Sequence, residues 1–146
     1  MSIADRFASW APKILGIFRI IAGALFACYG AQKLFGAFGG IPPGMASKAL
    51  LWSAGSIEFV GGVLIMLGLF TRIAAFICSG QMAVAYFTGH APHGFWPIVN
   101  HGELAVLYAF VFLYVAGHGA GAYSVDASVP FGRRFGAAGF RPRAAL

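Results

Sequence analysis

Polar side chains interrupt the apolar pattern of this chain only at long intervals, and four of the intervals approach the length of a membrane-crossing helix. The stretches cover residues 14–35, 49–70, 73–87 and 103–117. A helix needs roughly 17–25 mostly apolar residues to cross the hydrocarbon core. The first two stretches meet that length, and the last two fall slightly short of it. The apolar runs are continuous rather than alternating, which predicts helices and not the strands of a barrel. Ahead of the first stretch, Ile3, Phe7 and Trp10 fall on one helical face. This pattern predicts a short helix lying flat in the membrane interface, with Trp10 as anchor and Pro12 separating it from the first span. The fold class read from the pattern is all-α, an integral membrane four-helix bundle with an N-terminal interfacial helix.

Composition agrees with this pattern. Of the 146 residues 60% are apolar and 10% charged, and glycine occurs 21 times. A soluble sphere of this size cannot hide so much apolar surface. Those figures exclude a soluble globular enzyme, a disordered chain and a disulfide-stapled secreted domain. Cys28 and Cys78 stand alone in apolar runs, with no C-x-x-C pair and no zinc spacing.

Charge sets the orientation. The net charge is +6, and Arg133, Arg134, Arg141 and Arg143 crowd the last residues. With four spans, Arg6, Lys13, Arg72 and these four arginines share one side, and Lys33 and Lys48 the other. The positive-inside rule then predicts both termini in the cytoplasm of a multi-pass inner-membrane protein. Residues 1–126 form the four-span membrane domain and residues 127–146 a basic cytoplasmic tail. The tail arginines read as contacts to membrane lipids. No basic, aromatic-studded groove accompanies them, which argues against nucleic acid.

Ionisable side chains inside a bilayer are costly, so each asks for a partner or a role. Arg19, Gly23, Phe26, Gly30 and Lys33 lie within about 40° of one line along the first helix. Around Glu58 in the second stretch, Gly55, Gly61 and Gly62 make a similar stripe. Small residues let helices approach closely, so the two stripes are expected to face each other. Glu58 lies at a depth between Arg19 and Lys33, which are about 21 Å apart along a helix, and is expected to meet one of them. Gln81 reaches a similar depth, and Glu103 opens the fourth helix near the level of Lys33. Arg19, Lys33, Glu58, Gln81 and Glu103 are therefore the candidate ligand-binding residues. Phe26, Phe110 and Tyr114 are expected to line the apolar part of their pocket. Two readings stay open: a salt-bridge network that fixes helix register, and a polar pocket for a quinone head group, a proton or a small solute. His90, His93 and His101 gather in the third connection. Their spacing is a weak metal motif, and belt polarity or a proton role remain alternatives. No metal site and no catalytic residue is assigned.

Several pieces resemble the DoxX family of small bacterial membrane proteins. They are Arg19 with Gly23 and Phe26, residues 30–34 (GAQKL), Glu58 with Gly61 and Gly62, residues 68–72 (GLFTR), Glu103, and residues 119–126 (GAGAYSVD). The resemblance spans residues 18–126 and implies a four-helix inner-membrane protein. Members have been tied to quinone-reducing thiosulfate oxidation in archaea and to membrane-associated redox complexes in mycobacteria. It therefore implies a subunit of a quinone-linked oxidoreductase system, with a quinone as cofactor and other redox-complex subunits as partners. No haem, iron–sulfur or dinucleotide motif is present, and whether the chain is an enzyme stays open. A non-catalytic anchor or assembly subunit is the alternative, and a small-solute transporter a second one.

Overall fold

A computed structural model of the chain describes residues 2–128. The first helix begins in a capping box. Ser2 Oγ accepts from the Asp5 backbone N–H at 3.1 Å, and Asp5 Oδ2 accepts from the Ser2 N–H at 2.8 Å. From there α1 runs unbroken from Ile3 to Phe35, with Pro12 inside it. This corrects the expectation of a separate interfacial helix ending at Pro12. Proline removes one backbone donor, which frees the carbonyl four residues back, that of Ala8. Here both Pro12 and Ala8 are exposed, so water can satisfy that carbonyl and the helix continues. Ile3, Phe7 and Trp10 lie exposed on the same long helix.

Three further helices of substance follow: α2 (Lys48–Leu67), α3 (Thr71–Ala85) and α5 (Glu103–His118). One-turn helices α4 (Pro97–Asn100) and α6 (Val125–Ser128) flank α5. A π-turn over Tyr86–His90 prolongs α3. Among the described residues there is no strand. Helix α1 packs on α2, α2 on α3, and α3 on α5. Phe26 of α1 closes the ring against Tyr108 and Phe112 of α5, with centroids 5.1 and 4.7 Å apart. The core is Phe26, Ile65, Ala75, Cys78, Phe112 and Val115 with their small neighbours.

The outward faces carry the large apolar side chains, among them Trp52, Val60, Phe76, Val84 and Leu107. An exposed apolar surface on every helix suits lipid and not water. By length and composition, α1 and α2 are long enough to cross a membrane, and α5 is a shorter apolar helix. The chain is a membrane helical bundle.

One end of the bundle is clasped by main-chain acceptors. Gly68, at φ 71°, ends α2 in the left-handed region, and its N–H returns to the Ile65 carbonyl at 3.1 Å. A Cβ at Gly68 would meet Ser124 and the Arg19 guanidinium. Asp126 reaches this turn from the far end of the chain. Its Oδ1 accepts from Phe70 N–H at 2.9 Å and its Oδ2 from Thr71 N–H at 3.0 Å, which caps the start of α3. Arg72 in turn donates to the carbonyls of Ala116, Gly117 and His118, where α5 ends. The boundary expected at residue 126 falls inside α6, and residues 129–146 of the expected tail lie outside the described residues.

Candidate functional site

Glycines set the distance between α1 and α2. A Cβ at Gly23 would sit 2.5 Å from Met66 N, and one at Gly62 would sit 2.5 Å from Ala27 N. Gly30 lies against the Phe59 backbone in the same way. The two glycine stripes therefore face each other, and the backbones touch. That approach carries Lys33 onto Glu58. Lys33 Nζ and Glu58 Oε2 form an ion pair. The Glu58 side chain is 3% exposed and that of Lys33 20%. From α3, Gln81 Nε2 donates to Glu58 Oε1 at 3.0 Å. Both carboxylate oxygens are thus engaged. The Lys33 ammonium also lies 5.7 Å from the centre of the Tyr29 ring, within cation–π range.

A cavity of about 400 Å³ lies over this triad. All four main helices line it: Phe26, Tyr29 and Lys33 from α1, Leu50, Ala54 and Glu58 from α2, Gln81 and Met82 from α3, Leu104 and Tyr108 from α5. Its volume falls in the range of small-molecule sites, and its few polar groups converge on an otherwise apolar wall. Towards the connections the wall includes Ala46, Thr88, Gly89, His90 and His101. The π-turn supplies three of these, a use of local irregularity common at functional sites. His90 is steadied by Nδ1, which donates to the Asn100 carbonyl at 3.1 Å. Asn100 is itself buried, donating to Gly94 O and accepting from Gly102 N–H.

Of the five candidate residues, the structure brings Lys33, Glu58 and Gln81 together. Arg19 lies elsewhere. It is fully buried at the clasped end, and its guanidinium donates to the carbonyls of Ile65, Met66, Ala120, Ala122 and Tyr123. The last-turn carbonyls of α2 and those of the returning loop present partial negative charge to the guanidinium, so it is held without a carboxylate in direct contact. Glu103 is exposed at the first turn of α5 and does not line the cavity. This corrects the expected orientation of α5. Its buried face is Ala105, Tyr108, Phe112 and Val115, so Phe110 and Tyr114 are exposed and the cavity aromatics are Phe26, Tyr29 and Tyr108. The single acid of α5 points to the wrong face, and the three-and-four spacing of those four residues carries the better signal. His93 is absent from the cavity wall. Among the described residues no three His, Cys, Asp or Glu side chains group as a metal site.

The family pattern of DoxX matches residues 14–91, which include Lys33, Glu58 and Gln81. An uncharacterised protein of Haemophilus influenzae is 44% identical over 129 residues, 84% of this chain and 95% of the relative. No solved structure matches the chain. On the family match and on the extent of that similarity, the chain belongs to the DoxX family of membrane proteins.

Proposed function

We propose that the chain is a multi-pass inner-membrane subunit, with both termini in the cytoplasm, whose cavity holds the head group of a lipid-soluble molecule of quinone kind. In this reading it serves a quinone-linked oxidoreductase system alongside other membrane or redox subunits. One observation carries the reading: a cavity of about 400 Å³ to which all four main helices contribute and whose polar groups cluster at Lys33, Glu58 and Gln81. Within it, Lys33 keeps unused N–H donors for a head-group oxygen, Glu58 holds the ammonium in place, and Gln81 steadies Glu58. Phe26, Tyr29 and Tyr108 offer a flat aromatic wall, and Leu50, Leu51 and Leu104 an aliphatic one for a tail.

The competing reading is an anchor or assembly subunit, favoured by the fact that Lys33 and Glu58 already satisfy each other. Glu58→Gln separates the two. It keeps shape and hydrogen-bonding capacity while removing the charge. A head-group site predicts that purification in mild detergent co-extracts a quinone, detected by mass spectrometry. The Glu58→Gln protein should lose it while melting near the wild-type temperature. A purely structural pair predicts the reverse: no retained ligand, and a loss of stability approaching the roughly 3–5 kcal/mol of a broken buried pair.

A further inference from the structure

Helix α1 is longer than the bundle it belongs to. Its 33 residues span about 50 Å, against a hydrocarbon core of about 30 Å. Every residue from Ser2 to Ile14 is exposed, and burial begins at Leu15. The first three turns therefore stand clear of the other helices. They carry Ile3, Phe7 and Trp10, exposed by 76%, 64% and 61%. Large apolar side chains so placed lower the free energy when something covers them.

These side chains open a regular series. Ile3, Phe7, Trp10, Ile14, Ile17 and Ile21 follow one another at intervals of four and three, and all six are exposed. The next two positions fall on Ala24 and the exposed Cys28. Eight positions over 26 residues keep the heptad period of a coiled-coil seam, with Phe7, Ile14, Ile21 and Cys28 at a. The row directly opposite contains Arg19 and Phe26, which are 0% and 1% exposed in the chain's own core. The seam thus points straight away from the bundle, and a second helix laid on it meets no other element. The six large side chains offer roughly 700 Å² at roughly 200 Å² for a whole one, close to the approximately 800 Å² a side of a stable interface.

We propose that α1 is a dimerisation helix whose seam pairs with α1 of a second copy of this chain, parallel and in register. Lipid covers only the inner part of the stripe, which crosses the membrane boundary without changing its period. A cover for the whole must cross that boundary at the same depth. A second copy does so by symmetry, because all copies insert in the same sense and pair about a two-fold axis along the membrane normal. Charge favours the same arrangement. Arg6 and Lys13 flank the seam at g, and in a parallel pair they lie beside the partner's Ala11 and Phe18 and not against each other.

Cys28 supplies the test, since Cys78 is buried. In a parallel pair the two Cys28 side chains lie side by side, within the roughly 4.4–6.8 Å between Cα atoms that a disulfide bridges. Copper phenanthroline oxidation of the full chain in its membrane should give a covalent dimer, and Cys28→Ser should give none. Phe76→Cys in the Cys28→Ser chain places the thiol on the outward face of α3 and measures cross-linking by random collision. Sedimentation equilibrium in mild detergent should find a dimer. Phe7→Glu with Trp10→Glu should weaken it about tenfold or more, the worth of one large apolar side chain, while the melting temperature stays that of an unpaired bundle. Phe7→Ala with Trp10→Ala repeats the measurement if the charged variant melts lower. A wild-type monomer overturns the proposal, as does cross-linking at Cys28 no stronger than at Phe76→Cys. A dimer indifferent to both double variants places the contact on another face and overturns it too. So does a monomer whose first fourteen residues resist protease only when anionic lipid is present, which would make the membrane surface the cover.

Discussion

Arg19 and Lys33 are two cations on one helical stripe, and the protein accommodates them by different chemistry. Lys33 has a carboxylate. Arg19 has five main-chain carbonyls, including Met66 at 2.7 Å, Ala120 at 2.7 Å and Tyr123 at 2.8 Å. A guanidinium fans its donors out in a plane, which lets one side chain serve α2 and the 120–123 loop together. Lysine has a compact head and cannot. Arg19→Lys is therefore expected to cost about 3 kcal/mol through carbonyls left unpaired, read as a lowered melting temperature in detergent. Lys33→Met should leave that temperature closer to wild type than Arg19→Lys does, because Glu58 keeps its bond from Gln81 and borders a cavity, whereas the acceptors around Arg19 are closed in. That Glu58 would meet one of the two cations was legible in the sequence, since all three sit among glycines at compatible depths; that the partner is Lys33 was not. The partners of Arg19 were not, because a backbone carbonyl is present at every residue and leaves no mark in the pattern.

Among the elements, the α1–α2 pair is fixed by backbone contact and the α2–α3 turn by a distant cap. Gly62→Leu puts a side chain where the Ala27 backbone already lies. It should separate the helices, cost about 1–3 kcal/mol or more, and pull Lys33 away from Glu58. Loss of ligand retention together with a lowered melting point would register both effects. Asp126→Ala leaves the Phe70 and Thr71 N–H groups without their carboxylate. The cost expected is that of a lost N-cap, about 1–2 kcal/mol, and Asp126→Asn should recover part of it. The glycine stripes and helix positions could be read from spacing alone. The continuity of α1 through Pro12 could not, because it depends on water reaching the Ala8 carbonyl. The facing of α5 was hidden because an acid at a helix start is as well placed in solvent, near the positive end of the helix, as in a pocket.

The whole molecule has two unlike ends. One holds the cavity and the connections around His90 and His101; the other holds Arg19, Arg72 and Asp126 bound to main-chain groups. In the proposed topology the clasped end faces the cytoplasm, with the Lys and Arg excess on its side. Reporter fusions after Ser128 and near His93 should then lie on opposite sides of the membrane, and two reports from the same side would defeat the four-span arrangement. Helix α3 is only 15 residues long, and the π-turn is what brings its helical path to His90, about 30 Å in all. Gly80 has open space where a Cβ would go, so an alanine there should leave the fold unchanged, in contrast to Gly62.

The clasp has a consequence for how the chain is made. Arg19 leaves the ribosome about a hundred residues before Ala120, Ala122 and Tyr123, whose carbonyls it needs. The α2–α3 turn likewise waits for Asp126, 55 residues later than Thr71. Until then the guanidinium lacks most of its acceptors, and a cation so placed is held at the lipid–water boundary and not within the bilayer. The bundle can lock only once residues 120–126 have been made, so the order of events in time is the reverse of their order in the sequence: a cation of the first helix is buried last. A chain stopped at His118 should stay sensitive to protease at the clasped end and be degraded in the cell, whereas one stopped at Ser128 should accumulate as the full chain does.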